Sequence, residues 1–197
     1  VNISDIKELH YITHIRNVHS ICHEGILSHK HAHGVSHISV ASPEVQERRA
    51  KKIIPGGLAL HAYVNLYFDA RNPMLYVLQA KYADLCILRI NPAVMKLPGA
   101  IVADRNASSD YARFFRCPDG LKYLNKDMIF ATSWTHPDNQ FAEWEHKSIK
   151  CAEVLIPEKV LPQYILGAYV SCTEALTSFQ KTNVSVSAIV QPFIFFR

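Results

Sequence analysis

The run Lys150-Cys151-Ala152-Glu153-Val154-Leu155-Ile156-Pro157 holds one carboxylate in an otherwise apolar stretch. Strand alternation puts Glu153 on the face of Cys151 and Leu155. Burying an unpaired carboxylate costs several kcal/mol, so Glu153 must border a solvated cleft or meet a donor. A carboxylate at a cleft-lining strand start is a candidate for catalysis, with a structural pairing as the alternative. A second chemical segment is Glu47-Arg48-Arg49-Ala50-Lys51-Lys52, with four cations in positions 48–52. A solvated helix face accounts for that pattern. So does a phosphate clamp, because a planar guanidinium grips two oxygens at once. Histidines form the third concentration: residues 10, 14, 19, 23, 29, 31, 33 and 37 are eight of the eleven. His29, His31 and His33 could line one side of an extended segment as metal ligands. No Cys or carboxylate stands beside them in closed-site spacing, so a solvated polar loop ranks ahead of a metal.

Several familiar chemistries are absent. The chain has no Gly-x-x-x-x-Gly-Lys-Ser/Thr phosphate loop and no Gly-x-Gly-x-x-Gly, Gly-x-Ser-x-Gly or His-Glu-x-x-His motif. With 49% hydrophobic and 19% charged residues, the composition excludes a disordered chain. No apolar run reaches the roughly 20 residues of a membrane-spanning helix. Five scattered cysteines, never in a Cys-x-x-Cys pair, fit a reduced cytoplasmic setting. A net charge of +4 tolerates nucleic acid without demanding it.

The elements that must position these groups are mostly strands. Residues 9–13, 62–68, 74–79, 85–90, 100–103, 151–156, 164–170 and 184–190 read as strands from their apolar runs and alternation. Ile15, Val18, Ile21 and Cys22 follow helical spacing, with Gly25 placed to end that helix. Ser42-Pro43 before Glu44 reads as an N-cap, a Pro in the first turn and an acidic start. Thr173 to Lys181 is a later helix, capped by Thr173. Strands do not alternate with helices, so the fold class is α+β with a mixed, largely antiparallel core, in one domain over 1–197. Between Asp104 and Lys150 short signals interrupted by Pro118, Gly120 and Pro137 indicate a functional loop region.

Four segments in order resemble the DarT family of bacterial toxins that transfer ADP-ribose from NAD onto DNA bases. They are His10-Tyr11-Ile12-Thr13-His14-Ile15-Arg16-Asn17, Gln46-Glu47-Arg48-Arg49, Tyr63-Val64-Asn65-Leu66-Tyr67-Phe68 with Ala70-Arg71-Asn72-Pro73-Met74-Leu75-Tyr76, and Lys150 to Pro157. Asn65-Leu66-Tyr67-Phe68, Ser109-Asp110-Tyr111-Ala112-Arg113-Phe114 and Trp134-Thr135-His136-Pro137 are more similar to the guanine-modifying branch than to the thymidine-modifying one.

The resemblance implies an ADP-ribosyltransferase-like fold with a two-sheet core and NAD, the co-substrate, in the cleft between. It implies Glu153 and Arg49 as catalytic residues, and no metal. It places His10, Tyr11, Ile12, Thr13, Ser20, Ser28, Arg49 and Tyr67 at NAD, although Ser20 and Ser28 depart from the family pattern. Residues 29–49 become a loop folding over NAD, and 106–153 a substrate-recognising loop region. Arg71, Asn72, Pro73, Met74, Leu75 and Tyr76 match a DNA-contacting turn, with Asn106, Arg113 and Trp134 as further DNA contacts. Tyr111, Phe114, Phe115, Trp134 and Trp144 either stack bases or fill the core. Arg105, Arg113, Arg116 and Lys122 are candidates for phosphates. Single-stranded DNA is the expected substrate, because a base inside a duplex is hard to reach. A proton-accepting role, sometimes given to the family's arginine, conflicts with a guanidinium pKa above about 12. An antitoxin that hydrolyses the ADP-ribose mark, of the NADAR type for the guanine branch, is the implied partner. Two other readings keep less of this. One is the same fold acting on thymidine, RNA or protein; the other is a non-catalytic NAD- or nucleic-acid-binding module.

Overall fold

The computed structural model describes residues 1–196; Arg197, the last residue of the expected domain, lies outside them. In chain order the elements are β1 (Leu9–His14), α1 (Val18–Glu24), β2 (Ile26–Leu27), α2 (His29–Ala32), α3 (Pro43–Ala50), β3 (Tyr63–Tyr67) and α4 (Pro73–Val77). Then follow β4 (Leu85–Ile90), β5 (Ile101–Ala103), β6 (Phe114–Arg116), α5 (Lys126–Ile129), α6 (Gln140–Lys150) and β7 (Glu153–Pro157). The chain ends with β8 (Lys159–Val160), β9 (Ile165–Val170), α7 (Thr173–Gln180) and β10 (Ala188–Val190).

Eight strands form one sheet in the order β10-β9-β4-β1-β3-β7-β5-β6, and β2 pairs with β8 apart from it. Only β10 runs parallel to its neighbour. The other ladders are antiparallel, as a mixed, largely antiparallel α+β core requires. The two expected sheets are two halves of this one sheet. β1 pairs with β4 along its whole length but touches β3 at the single register pair His10–Tyr67. Past that pair the halves part, and the seam becomes a cleft.

Alternation sorts the side chains. Leu9, Val64, Leu66, Leu88, Ile90, Val154 and Ile156 face the main core, which Val18 and Ile21 of α1 and Phe179 of α7 close. The other face carries two smaller clusters, one around Ile12, Tyr67, Ile87 and Leu75, the other around Leu60, Tyr63 and Leu155. Each fully buried aliphatic side chain contributes roughly 1.5–3 kcal/mol. Gly25 ends α1 as expected, with φ +91°, and a Cβ there would sit 2.5 Å from the Val160 carbonyl oxygen.

Three expectations change. Residues 74–79 are not a strand: Asn72 caps α4 by accepting from the Leu75 N–H at 3.1 Å, and Pro73 occupies the first turn. A cap and a Pro override the apolar run. Thr173 is the first residue of α7, whose cap position is Cys172. The region 104–150 is largely structured, holding β6, α5 and the eleven-residue α6. The aromatics of α6 point to solvent, so its apolar pattern did not read as a buried helix.

Candidate active site

β7 begins at Glu153, which pairs in register with Tyr67 on one side and Ala103 on the other. That central position leaves the carboxylate no exposed surface. Its partner comes from 104 residues away: Arg49 Nη1 donates to Oε2 at 3.0 Å and to Oε1 at 3.3 Å. The Ala107 N–H, 3.3 Å from Oε1, is a third contact. Arg49 is buried on the inner side of α3, whereas Arg48 is exposed. One carboxylate and one guanidinium therefore meet without water between them, a geometry that needs good hydrogen bonding to offset desolvation.

The pair opens on a cavity of about 750 Å³. The volume suits a sizeable ligand held by an apolar lining and a few convergent polar groups. Tyr11, Ile12 and Thr13 of β1 form one wall, Tyr63, Asn65 and Tyr67 of β3 another, and Asn106 to Tyr111 approach from the loop after β5. Burial holds the Tyr67 phenol well above its usual pKa, and the Glu153 charge adds to this. Burial pushes the Tyr11 phenol up to about 12. Both phenols therefore remain O–H groups at neutral pH.

The segment after α2 lies over the cavity because Asn17 fastens it. The Asn17 amide donates to the Ile38 carbonyl at 2.8 Å and to Thr13 Oγ1 at 3.1 Å, while its carbonyl accepts from the Ile38 N–H at 2.9 Å. On the opposite rim Lys52 Nζ donates to the Ser109 carbonyl, and the Asn106 N–H donates to the Ser148 carbonyl at 2.8 Å. Segment 29–49 is not simply a loop, since α2 and α3 occupy its ends. His29 packs against His61 with tilted rings (centroids 4.1 Å apart) and meets His33 edge to face (4.9 Å). Burial lowers the pKa of His29 and His61, followed by His61 for the former and Arg49 for the latter. His61 Nε2 and Gln46 Oε1 are buried without a hydrogen-bond partner among the described residues, and both residues line the cavity. Among the described residues no group of three His, Cys, Asp or Glu is placed to hold a metal ion. Nor is any helix there long and apolar enough to cross a membrane.

Of the expected site residues, Glu153, Arg49, Tyr11, Ile12, Thr13, Tyr67, Pro73, Met74 and Asn106 line this cavity. Others do not. His10 turns away and bonds Glu8 at 3.2 Å. Ser20 bonds the Asn17 carbonyl and borders only a small side pocket, and Ser28 is fully buried against His31. Arg71 is engaged by the C-terminal tail: Nη1 donates to the carbonyls of Phe193, Ile194 and Phe195, and the guanidinium lies 4.0 Å from the Phe196 ring centre. Asn72 and Leu75 are buried as cap and anchor of α4. Tyr76 and Trp134 pack against each other and against Phe196, with Trp134 only 8% exposed. Arg113 pairs with Asp104 at 2.8 Å outside the cavity. Sequence reading gives Asn17, Gln46 and Lys52 no individual site role although they lie in the quoted segments, and it passes over His61, which interrupts the apolar run from Leu58 to Val64.

A family model described as "ssDNA thymidine ADP-ribosyltransferase, DarT" matches residues 10–195. A DNA ADP-ribosyl transferase–DNA ADP-ribosyl glycohydrolase fusion protein of Thermosipho africanus is 33% identical over 201 residues, covering 96% of this chain and 50% of that protein. The chain thus spans about half the length of that relative. A DNA ADP-ribosyl transferase of Thermus sp. strain 2.9 is 34% identical over 141 residues, covering 66% of this chain and 67% of the relative. Solved structures agree in fold. Thermosipho africanus DarTG in complex with ADP-ribose has a TM-score of 0.82 at 30% identity, covering 96% of this chain and 51% of that one. Thermus sp. 2.9 DarT in complex with NAD+ has a TM-score of 0.80 at 25% identity, covering 98% of each.

Proposed function

The chain belongs to the DarT family, and from that premise we propose that it transfers ADP-ribose from NAD onto a base of single-stranded DNA, releasing nicotinamide. The observation that carries this reading is the Glu153–Arg49 pair at the wall of the cavity. Breaking the nicotinamide–ribose bond sends the bonding electrons out with nicotinamide and leaves positive charge on the ribose, much as glycoside cleavage does. Glu153 accepts a hydrogen bond from a ribose hydroxyl and stabilises that cation electrostatically. Arg49 holds the diphosphate and orients the sugar so that its anomeric carbon faces the incoming base. A base nitrogen then forms the new glycosidic bond, and its proton passes to Glu153 or a neighbouring group. Residues 29–49 cover NAD, and 106–153 present the DNA, within a single domain.

The target base in this reading is guanine, attacking through an exocyclic amine; the segments around Asn65, Tyr111 and Trp134 support that branch. Thymidine is the second reading, favoured by the description of the matched family model. The toxin acts in the cytoplasm. A hydrolase that strips the mark from DNA is its partner, in line with the glycohydrolase named in the Thermosipho fusion, and for guanine it is of the NADAR type. The test is to incubate the chain with NAD and single-stranded oligonucleotides, then digest them for nucleoside mass spectrometry. ADP-ribosyl-deoxyguanosine is expected. ADP-ribosyl-thymidine moves the assignment to the second reading, and label found only on RNA or protein overturns DNA as the acceptor.

A further inference from the structure

Two of the largest exposed aromatic side chains sit next to each other on α6. Phe141 is 77% and Trp144 52% exposed, and their rings meet edge to face with centroids 5.6 Å apart. The opposite side of the helix buries His146, Ile149 and Lys150, which fixes the rotation of α6 and turns the aromatic pair outward. Apolar area left in water in this way marks a surface that meets a partner. Helical spacing continues the stripe in one direction: three and four residues beyond Trp144 come Lys147 and Ser148, both lining the cavity. The aromatic pair therefore belongs to a surface that runs out of the active-site cavity.

We propose that Phe141 and Trp144 form a stacking platform for one or two bases of the strand flanking the target base. The inference rests on the reading that the substrate is single-stranded DNA. A strand whose target base enters the cavity must leave along some surface, and this stripe is continuous with the cavity wall. Along the helix Trp144 lies about 6 Å and Phe141 about 10 Å from Ser148. Bases stacked about 3.4 Å apart would reach the pair roughly two to three nucleotides from the target. Charges around the pair favour bases over phosphates. Lys147 is already paired with Glu143 at 2.7 Å, and Arg105 approaches Glu145 at 3.9 Å. Of the aromatics noted in the sequence, Trp134 is core, while Trp144 gains Phe141 as its partner.

The full chain carrying Phe141→Ala and Trp144→Ala is compared with the parent on a trinucleotide and on an oligonucleotide with five nucleotides either side of the target. The KM for the long substrate should rise about 10-fold or more, with KM for the trinucleotide and affinity for NAD unchanged. Phe141→Tyr with Trp144→Phe should restore the parent value. The increase should persist in 0.3 M salt, because stacking releases few counterions. A long-substrate KM equal to the parent's overturns the platform, including the case where the double variant instead loses affinity for a protein. Trp144 fluorescence supplies a readout independent of catalysis: single-stranded DNA should quench it in the parent, and the quench should disappear in Trp144→Phe. A parent that quenches yet modifies no DNA would sink the proposed transfer reaction and leave the platform standing; a modifying parent without quenching does the reverse.

Discussion

Two buried ion pairs lie three residues apart on the chain and behave as opposites. Lys150 is fully buried, pairs with Asp69 and donates to the Ile129 carbonyl at 2.9 Å. It locks the end of α6 to the turn before α4 and to α5, and it lines no part of the cavity. Glu153 is just as buried, but its partner Arg49 lies on a segment folded over open space, and both line that space. In the first pair protein encloses the lysine completely, and only Asp69 keeps an exposed edge, away from the cavity. The second keeps bonding capacity facing a volume that a ligand can fill. One buried cation–carboxylate pair serves architecture, the other carries the proposed reaction, and the cavity makes the difference.

Breaking the closed pair should have the largest effect. Lys150→Met leaves Asp69 and the Ile129 carbonyl without their cation, a kind of change that costs about 3–5 kcal/mol in a sealed site. Asp69 keeps 25% of its side chain exposed, so the low end of that range is expected. For a chain of this length the midpoint of thermal unfolding should fall by about 6–12 °C. A shift under 2 °C would mean that the clamp is not sealed.

Glu153→Gln should give the reverse profile. Glutamine keeps an oxygen for Arg49 and Ala107, and the bared guanidinium can be hydrated from the cavity, so thermal stability should change less than in Lys150→Met. Transfer to DNA should fall by about 10²–10³-fold, the usual loss when a preorganised electrostatic group is removed. Adduct formation and thermal unfolding measured on the same samples separate the two pairs. Full activity in Glu153→Gln would remove the carboxylate from the mechanism.

How much of this was legible in the sequence follows from the same contrast. Glu153 stood out because a strand exposes its face by simple alternation, and one carboxylate among Val154, Leu155 and Ile156 has few explanations. The choice of Arg49 over Arg48 came from the family motif, and α3 places Arg49 inward. Most strands were legible for the same period-two reason. Lys150 was not: it is buried at a helix end, where a terminal lysine ordinarily reaches water, and only the docking of α5 and the turn at Asp69 covers it. Arg71 matches a DNA-contacting turn, and sequence cannot show that the chain's tail, more than 120 residues later, supplies carbonyls to occupy it. Residues 74–79 misled because an apolar run has no period of its own, and the Asn72-Pro73 start decided its structure.

A third charged group, intermediate between the two pairs, sharpens the comparison with the smallest effect. Glu8 accepts from Arg89 Nε at 2.7 Å, Tyr169 OH at 2.8 Å and His10 Nε2 at 3.2 Å, tying β1 to β4 and β9 on the sheet face that also carries Glu153, in the other half of the sheet. Burial pushes its carboxyl up, but the donors His10, Arg89 and Tyr169 outweigh this and hold it at about 2, against an ordinary value of 4.5. A depressed carboxylate stabilises the fold fully above its unfolded value, and that contribution fades as pH falls from 4.5 toward 2. Glu8→Gln should therefore be less stable than the parent by a constant amount between pH 5 and 7, and the gap should close as both are taken below about pH 4. Thermal unfolding of the two proteins across that range checks it. Because Glu8 is partly solvated, the gap should remain smaller than that of Lys150→Met, and transfer activity at neutral pH should stay within about twofold of the parent. A gap that widens on acidification would show that the cluster gives its stability through the neutral acid, and would end the ranking of the three charged groups by how completely protein encloses them.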